Sequence, residues 1–587
     1  MIPRRRQGAA LWLACLLACT APARALDLHD DGSGLAPAEI PRALEVRTQV
    51  LARLPPAWAD ALGEVRLEWR DDLPADVHGR AFDGRILLRR SLLAAGSGRA
   101  ANAALIHELA HLYDRSPAGG MSRDPRLLDL AGWQDAPLRP WRTRNRFTDR
   151  SPDPYELASP AEYLAVNLEH YLLDPDYTCR RPALAAYFAR AFGERADAAA
   201  CPADLPFVQA DAGAASPLLL LDPSRVYAVD YLLAEGNARP MSHWGHGMLR
   251  LVVCAPGRPP GPACRLDLAW HRVLSFRAFV DDVQVSSWRG LTGSYPSRLF
   301  LLPLSQVVDE YTKVELRGLR SVPLRLEPGD IAALMQRAAL LHWSYDGRYY
   351  FVGNNCAVET ARLLRDGVTR LGPLHLMSIT PTGLLRRLAR AGVADTTVFD
   401  DPAEAIRLGY YFPSQADRYQ AMFEVARAAL ALPQHDVQDW LALPPARRAG
   451  VFGDADLRTS AALLLLEEAA LRRLELRARD ALKHHLSPQR TRPARAVRAL
   501  EDALTRPSQL ADGGYGIPQP GDREAIARNA EALAARLQQQ RAALLAQART
   551  WLDPSIRASL DASEANVRAL GARLRTLHAA EGGLQLP

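Results

Sequence analysis

The stretch "AALIHELAHLYDR", residues 103 to 115, holds His107, Glu108 and His111 in the spacing H-E-x-x-H. Four residues make about one helical turn. A helix here sets both imidazoles on one face, close enough to bind a single metal ion. Glu108 projects beside them, where a carboxylate can take a proton from a metal-activated water. A catalytic zinc also needs a third protein ligand and an open position. The candidate is Glu162, in "DPYELASPAEYLAVNLEHYLLDP". The same glutamate has a plainer use. Ser159 is a good N-cap, Pro160 suits the first helical position, and Glu162 then completes a capping box. The two roles compete, because a carboxylate on zinc is less free to cap. If Glu162 only caps, the ligand must come from Glu156, Glu169 or His170. Zn2+ is the expected cofactor.

A second set of residues implies a different chemistry. "YYFVGNNCAVETARLL" runs from a strand into a helix, with Cys356 at the helix start. A thiol there feels the positive end of the helix dipole, which lowers its pKa. His246, in "SHWGHGMLRLVVC", stands at the mouth of a strand and could lower it further, giving a thiolate–imidazolium nucleophile. Cys179 and Cys201 flank a helical segment, and Cys254 and Cys264 flank the loop "APGRPPGPA". Two disulfides from these four suit an oxidising compartment and leave Cys356 unpaired. The plainer use of Cys356 is as a packed apolar residue. The third polar member stays open among His271, Asp282 and Asn355.

"HELAH", with a tyrosine seven residues before a helix-opening glutamate, resembles the gluzincin peptidases related to lethal factor and Mlc titration factor. The resemblance implies His107, His111 and Glu162 as zinc ligands, Glu108 as general base and Tyr155 as the group that steadies the oxyanion. Asp114, one turn beyond His111, would orient that imidazole. The strand around Ile86 would be the edge strand along which an extended substrate lies. Those families often carry a further glutamate four residues after the ligand glutamate, and here that position is Val166. Separately, "SHWGHGMLRL", "GLTGSYPSRLF", "YTKVELRGL" and "YYFVGNNCAVE" resemble the recurring segments of the Lnb-type N-terminal periplasmic domain. That resemblance implies a permuted papain-type fold, with the histidine strand before the cysteine helix. It supplies a fold more than a reaction.

These residues need elements to position them. Glu64–Arg70 and Arg85–Arg89 read as strands, and helical patterns surround His107 and Glu162. Residues 201 to 217 read as a linker. Strand patterns such as "GMLRLVV", "VLSFRAFV" and "YTKVELRGL" follow, up to about residue 395. Helix formers dominate from residue 396 onward. Asp522 to Leu552 contains no Pro or Gly and sets Ile526, Ala530, Leu533, Leu537, Leu544 and Trp551 on one heptad face. An intramolecular hairpin or bundle is favoured over a dimeric coiled coil. The expected class is α+β and multidomain: a zincin-like α+β domain (26–205), a permuted papain-like α+β domain (206–395) and an all-α helical bundle or coiled-coil region (396–587).

The chain has 587 residues and a net charge of +6. Its lysines are Lys313 and Lys483 alone, and no dense basic run follows the N-terminus, so no nucleic-acid partner is expected. "MIPRRRQGAALWLACLLACTAPARA" has the basic start, short apolar stretch and A-x-A end of a secretory signal peptide. Leu16-Leu17-Ala18-Cys19 also fits a lipoprotein cleavage site, with lipid on Cys19 as a membrane tether. The expected location is the periplasm. The preferred function is a zinc metallopeptidase hydrolysing peptide bonds in the cell envelope. The alternatives are a Cys356/His246 envelope hydrolase or acyltransferase with structural zinc, and a non-catalytic accessory protein whose C-terminal helices bind a protein partner.

Overall fold

The computed structural model describes residues 26–580 apart from 31, 33, 75, 95, 97, 136–141, 145, 148–152, 210–217, 237–243, 279–294, 351–352 and 486–513. The signal segment with Cys15 and Cys19, and Asp282, lie outside the described residues, as do the side chains of Leu533, Leu537 and Leu544.

The chain divides into two compact units. One takes the chain up to Asp124, then Ser159–Asp174 and Phe188–Ala196; the other takes Pro125–Ala158, Pro175–Tyr187 and Asp197–Pro587. The boundary expected near residue 205 is therefore not where contacts divide the chain. Residues 125 to 158 join the second unit through its sheet and its charges. Phe147 pairs with Tyr345 across two strands, and Arg126 donates to Asp366 Oδ1 at 2.8 Å.

In the first unit, strands β1 (Asp27–Asp30), β2 (Glu64–Arg70), β3 (Gly79–Phe82) and β4 (Arg85–Arg89) form a sheet in the order β1-β2-β4-β3. β1, β2 and β4 run parallel, and β3 is antiparallel to β4. The sequence "EVRLEWR" alternates: Val65, Leu67 and Trp69 are buried while their neighbours face outward. Ile86 and Leu88 do the same in β4. Against this sheet lies the helix Gly98–Arg115, which packs in turn on the helix Pro160–Leu173. Trp58, fully buried, stacks on Tyr113 at 5.2 Å and meets the edge of Phe192 at 6.0 Å. One expectation is corrected here. Ile86 lies in β4, which has neighbours on both sides; the edge strands are β3, next to it, and β1.

In the second unit, eight described strands form one antiparallel sheet. The order is Tyr411–Phe412, Leu319–Leu324, Val226–Ala234, His246–Val253, Arg272–Ala278, Tyr295–Pro303, Tyr345–Tyr349 and Arg146–Phe147. Tyr231, Leu233, Leu249, Leu251 and Leu274 pack on one face with the helices Pro328–Ser344 and Cys356–Gly367. Leu232, Ala234, Met248 and Val273 pack on the other with Tyr311. "YTKVELRGL" is not a strand throughout. Asp309–Val314 is a helical turn, Leu316 turns the chain with φ 55°, and the strand starts only at Leu319. Val307 and Tyr311, one turn apart, are both buried, so the period that wins locally is helical. Disulfides join Cys179 to Cys201 and Cys254 to Cys264.

The C-terminal part is helical. Pro520–Trp551 and Pro554–Ala580 form consecutive helices turning at Leu552–Asp553. Pro554–Ala580 packs on the helix Leu457–His485, with Leu570, Leu463, Leu466, Trp440 and Phe423 in one core. Inside this bundle Arg448 is paired with Glu467, and Asn566 Nδ2 donates to Glu467 Oε2 at 3.0 Å. Arg448 also donates to Ser563 Oγ at 3.1 Å. Both charges are fully buried, so removing one strands the other away from water. Glu467→Ala is expected to destabilise this bundle by about 3–5 kcal/mol. Urea unfolding followed by circular dichroism tests it; a loss under about 1 kcal/mol would show that water reaches the pair.

Candidate functional site

The helix Gly98–Arg115 and the helix Pro160–Leu173 bring His107, His111 and Glu162 together. His107 Nε2 and His111 Nε2 each lie 3.1 Å from Glu162 Oε2, and the two ring nitrogens lie 3.0 Å apart. These are the residues that could hold a metal ion among those described. A tetrahedral zinc with bonds of about 2.0–2.1 Å holds its ligand atoms about 3.3 Å apart, so this triangle is close to the required size. The donor set, two imidazoles and one carboxylate, is also one that zinc takes.

Ser159 does cap the second helix: its Oγ accepts from the Glu162 amide at 3.2 Å. Only half of the capping box is used, because the Glu162 carboxylate turns away to the histidines. Burial pushes that carboxyl up, but hydrogen bonds from His107 and His111 win and hold it at about 2. Burial likewise pulls His107 down, and its bonds to Glu162 and Glu169 overturn this and raise it to about 10.

Glu169 is the residue that sequence reasoning held only as a spare ligand. His107 Nδ1 donates to Glu169 Oε1 at 2.6 Å. That bond fixes the ring so that Nε2 faces His111 and Glu162. Glu169 lies seven residues after Glu162, two helical turns on the same face, while Val166 is fully buried apolar packing. The i+7 spacing was the available signal. Asp114 does not supply the expected support to His111; its Oδ1 accepts from the Ser122 amide at 2.9 Å and shapes the turn after the helix.

Glu108 sits beside the cluster and is buried, which raises its pKa against the opposing pull of His107 and His111. Gly79 makes the room. A Cβ there would lie 2.8 Å from Glu108 Cγ and from Oε1, so a larger residue in β3 would displace the carboxylate. Tyr155 belongs to the other compact unit. It lies in the turn Pro154–Leu157 and is 56% exposed. Glu156 beside it is committed to Arg181, with bonds of 2.9 and 3.1 Å.

The second unit holds Cys356 and His246. Asn355 caps the Cys356 helix, its Oδ1 accepting from Ala357 at 3.0 Å and Val358 at 3.3 Å. The amides of Gly247 and Ala357 and the Tyr349 hydroxyl donate toward the sulfur, yet burial outweighs them and pushes the thiol up. This corrects the lowered pKa expected from the helix start. Gly247 is required by Tyr231, whose hydroxyl would lie 2.2 Å from a Cβ there. His246 is engaged elsewhere: Nε2 lies 3.1 Å from Ser275 Oγ, and the ring stacks on Tyr311 with centroids 6.1 Å apart. Ser275 Oγ accepts from Arg277 Nε at 3.2 Å, which leaves its own hydrogen to donate to His246. Burial, then Arg277 and Arg317, lower His246 to about 3. His271 belongs to a different network, accepting from Arg250 at 2.8 Å and donating to the Cys264 carbonyl at 2.8 Å.

With this geometry in hand, the comparisons divide the chain. Residues 218–391 match the Lnb N-terminal periplasmic domain. That segment holds six of the eight described strands of the sheet, with His246 and Cys356, and the match fits a protein of the cell envelope. Residues 118–201 match a domain of unknown function, DUF7844, which includes Glu162 and Glu169 but neither histidine of the cluster. No curated protein matches the chain. No described helix is long and apolar enough to cross a membrane.

Two outcomes follow. Cys356 should react with iodoacetamide at pH 7 far more slowly in the folded chain than in urea, with the rate rising only above the range of a free thiol, about 8.5. Fast labelling at pH 7 would contradict the buried, neutral thiol. Should zinc occupy this cluster, Glu169→Gln would weaken its binding by about 10–100-fold with the ligands intact. Chelator competition measures the affinity, and an unchanged value would remove Glu169 from the site.

Proposed function

We propose that this protein is a zinc-dependent peptidase of the cell envelope, with its centre at His107, Glu108, His111 and Glu162. The observation that carries this reading is the triangle of two ring nitrogens and one carboxylate oxygen, 3.0–3.1 Å on each side, with a buried glutamate adjacent. Zinc held by His107, His111 and Glu162 would supply a Lewis acid that lowers the pKa of water and polarises a scissile carbonyl. Glu108 takes the proton from the attacking water and returns it to the leaving amine. Its raised pKa suits a base that must also act as an acid. Glu169 holds His107 in the ligating tautomer. β3, an edge strand of this sheet, would support an extended peptide by strand addition, which suits a main-chain substrate.

A hydrolase or acyltransferase centred on Cys356 needs a thiolate beside an imidazole. Here the thiol is raised by burial and His246 is bonded to Ser275, so the zinc centre is the better-supported one.

Glu108→Gln separates binding from chemistry. The variant should keep about one zinc per chain and lose about 10²–10⁴ in kcat on a peptide-library substrate. Chelation should abolish turnover of the wild type, and alkylation of Cys356 should not. Full activity in Glu108→Gln, or in the chelated enzyme, would end the metallopeptidase reading.

A further inference from the structure

The segment that follows the Cys254–Cys264 disulfide displays its side chains in an inverted way. Leu266 is 61% exposed, Leu268 42% and Trp270 41%. Three exposed large apolar side chains within five residues occur nowhere else among the described residues. The polar residues between and beside them turn inward. Arg265 is buried and donates to both oxygens of Asp230 at 2.8 and 2.9 Å. Asp267 accepts from the Ala255 amide at 2.8 Å and pairs with Arg258 at 2.8 Å. His271 is held on the Cys264 carbonyl.

This display is rigid. The Cys254–Cys264 bond anchors the start of this segment, and Arg225 donates to the Cys254 carbonyl at 2.6 Å. Burying the three apolar side chains would mean turning Arg265 and Asp267 outward and breaking those bonds. Two arginines lie beside the patch. The Arg225 guanidinium lies 5.6 Å from the Trp270 ring centroid. Arg272 donates to the carbonyls of Ala269 and His271 at 3.0 Å. Among the described residues, neither Arg225 nor Arg272 pairs with a carboxylate.

We propose that Leu266, Leu268 and Trp270 dock the protein onto an anionic lipid bilayer. The apolar side chains enter the interfacial layer, where tryptophan is favoured, and the arginines beside them meet lipid phosphates. The patch is too small for a second protein: a stable protein interface uses about 20–30 residues a side. A bilayer needs only a few inserted side chains and a matching charge.

Vesicle flotation of the full chain tests this, with Cys19→Ser so that no lipid on that residue holds the protein. The chain should float with vesicles containing phosphatidylglycerol, less so as salt rises, and weakly with pure phosphatidylcholine. Leu266→Ser/Leu268→Ser/Trp270→Ser should lower the bound fraction about tenfold or more. Leu266→Asp alone, at the most exposed position, should lower it in the same direction. Unchanged circular dichroism and intact disulfides show that both variants fold. Equal flotation of variant and wild type overturns the proposal, and so does no flotation of either. Self-association in sedimentation that the triple variant abolishes also overturns it, by assigning the patch to a second copy of the chain.

Discussion

Two imidazole nitrogens and a carboxylate oxygen within 3.1 Å of one another cannot be left empty of positive charge. Their lone pairs converge, and burial removes the water that would otherwise separate them. Without metal the positive charge is a proton, which is why His107 stands at about 10 and Glu162 at about 2. The sign follows. The His107 contribution is complete below its ordinary 6.5 and is lost as pH rises through about 10. The Glu162 contribution is complete above its ordinary 4.5 and is lost as pH falls through about 2. Both operate at neutral pH, so the shared proton holds the cluster together there. The surrounding parts serve the same constraint: Gly79 leaves space for Glu108, Glu169 orients His107, and Ser159 starts the helix that delivers Glu162.

The second unit manages its buried charge differently. Asp230, fully buried, is satisfied by Arg265 and by Ser321 Oγ at 2.8 Å, with Arg250 close by. Those bonds, and the position of Arg250 against His271, commit the polar groups inside this face of the sheet to one another. Burial first, then neighbouring arginines, keep His246 and His271 at about 3 and 4, and burial holds His342 at about 4. All three are neutral at physiological pH and behave as hydrogen-bonding core residues. Cys356 is neutral for the same reason. A sheet that shares its pattern with a periplasmic domain family thus carries reactive residue types in a resting electrostatic state.

Local patterns in the sequence were read with success where one period dominated. The alternation in Glu64–Arg70 and the Ser159-Pro160 helix start depend on neighbours within a few residues, and the four cysteines pair with the next cysteine along the chain, 22 and 10 residues away. Readings failed where a distant partner decided. "YTKVELRGL" alternates like a strand, yet packing of Tyr311 with Val307 and Met248 bends it into a helical turn. Ile86 looked like the edge because it precedes the helix in sequence, but β3 folds back beyond it. Cys356 looked acidic from its place on the helix, and burial reversed that.

H-E-x-x-H, a capped helix carrying Glu162, and an unpaired Cys356 were determined by the sequence itself, because residue type and helical period fix which side chains share a face. Tertiary structure alone decided that Glu162 turns to the histidines instead of completing its cap, that Glu169 does the work expected at position 166, and that His246 bonds Ser275. Each of these is a competition between a local bond and a distant one. Local spacing names the competitors, but only the packed chain sets the distances and the burial that choose between them.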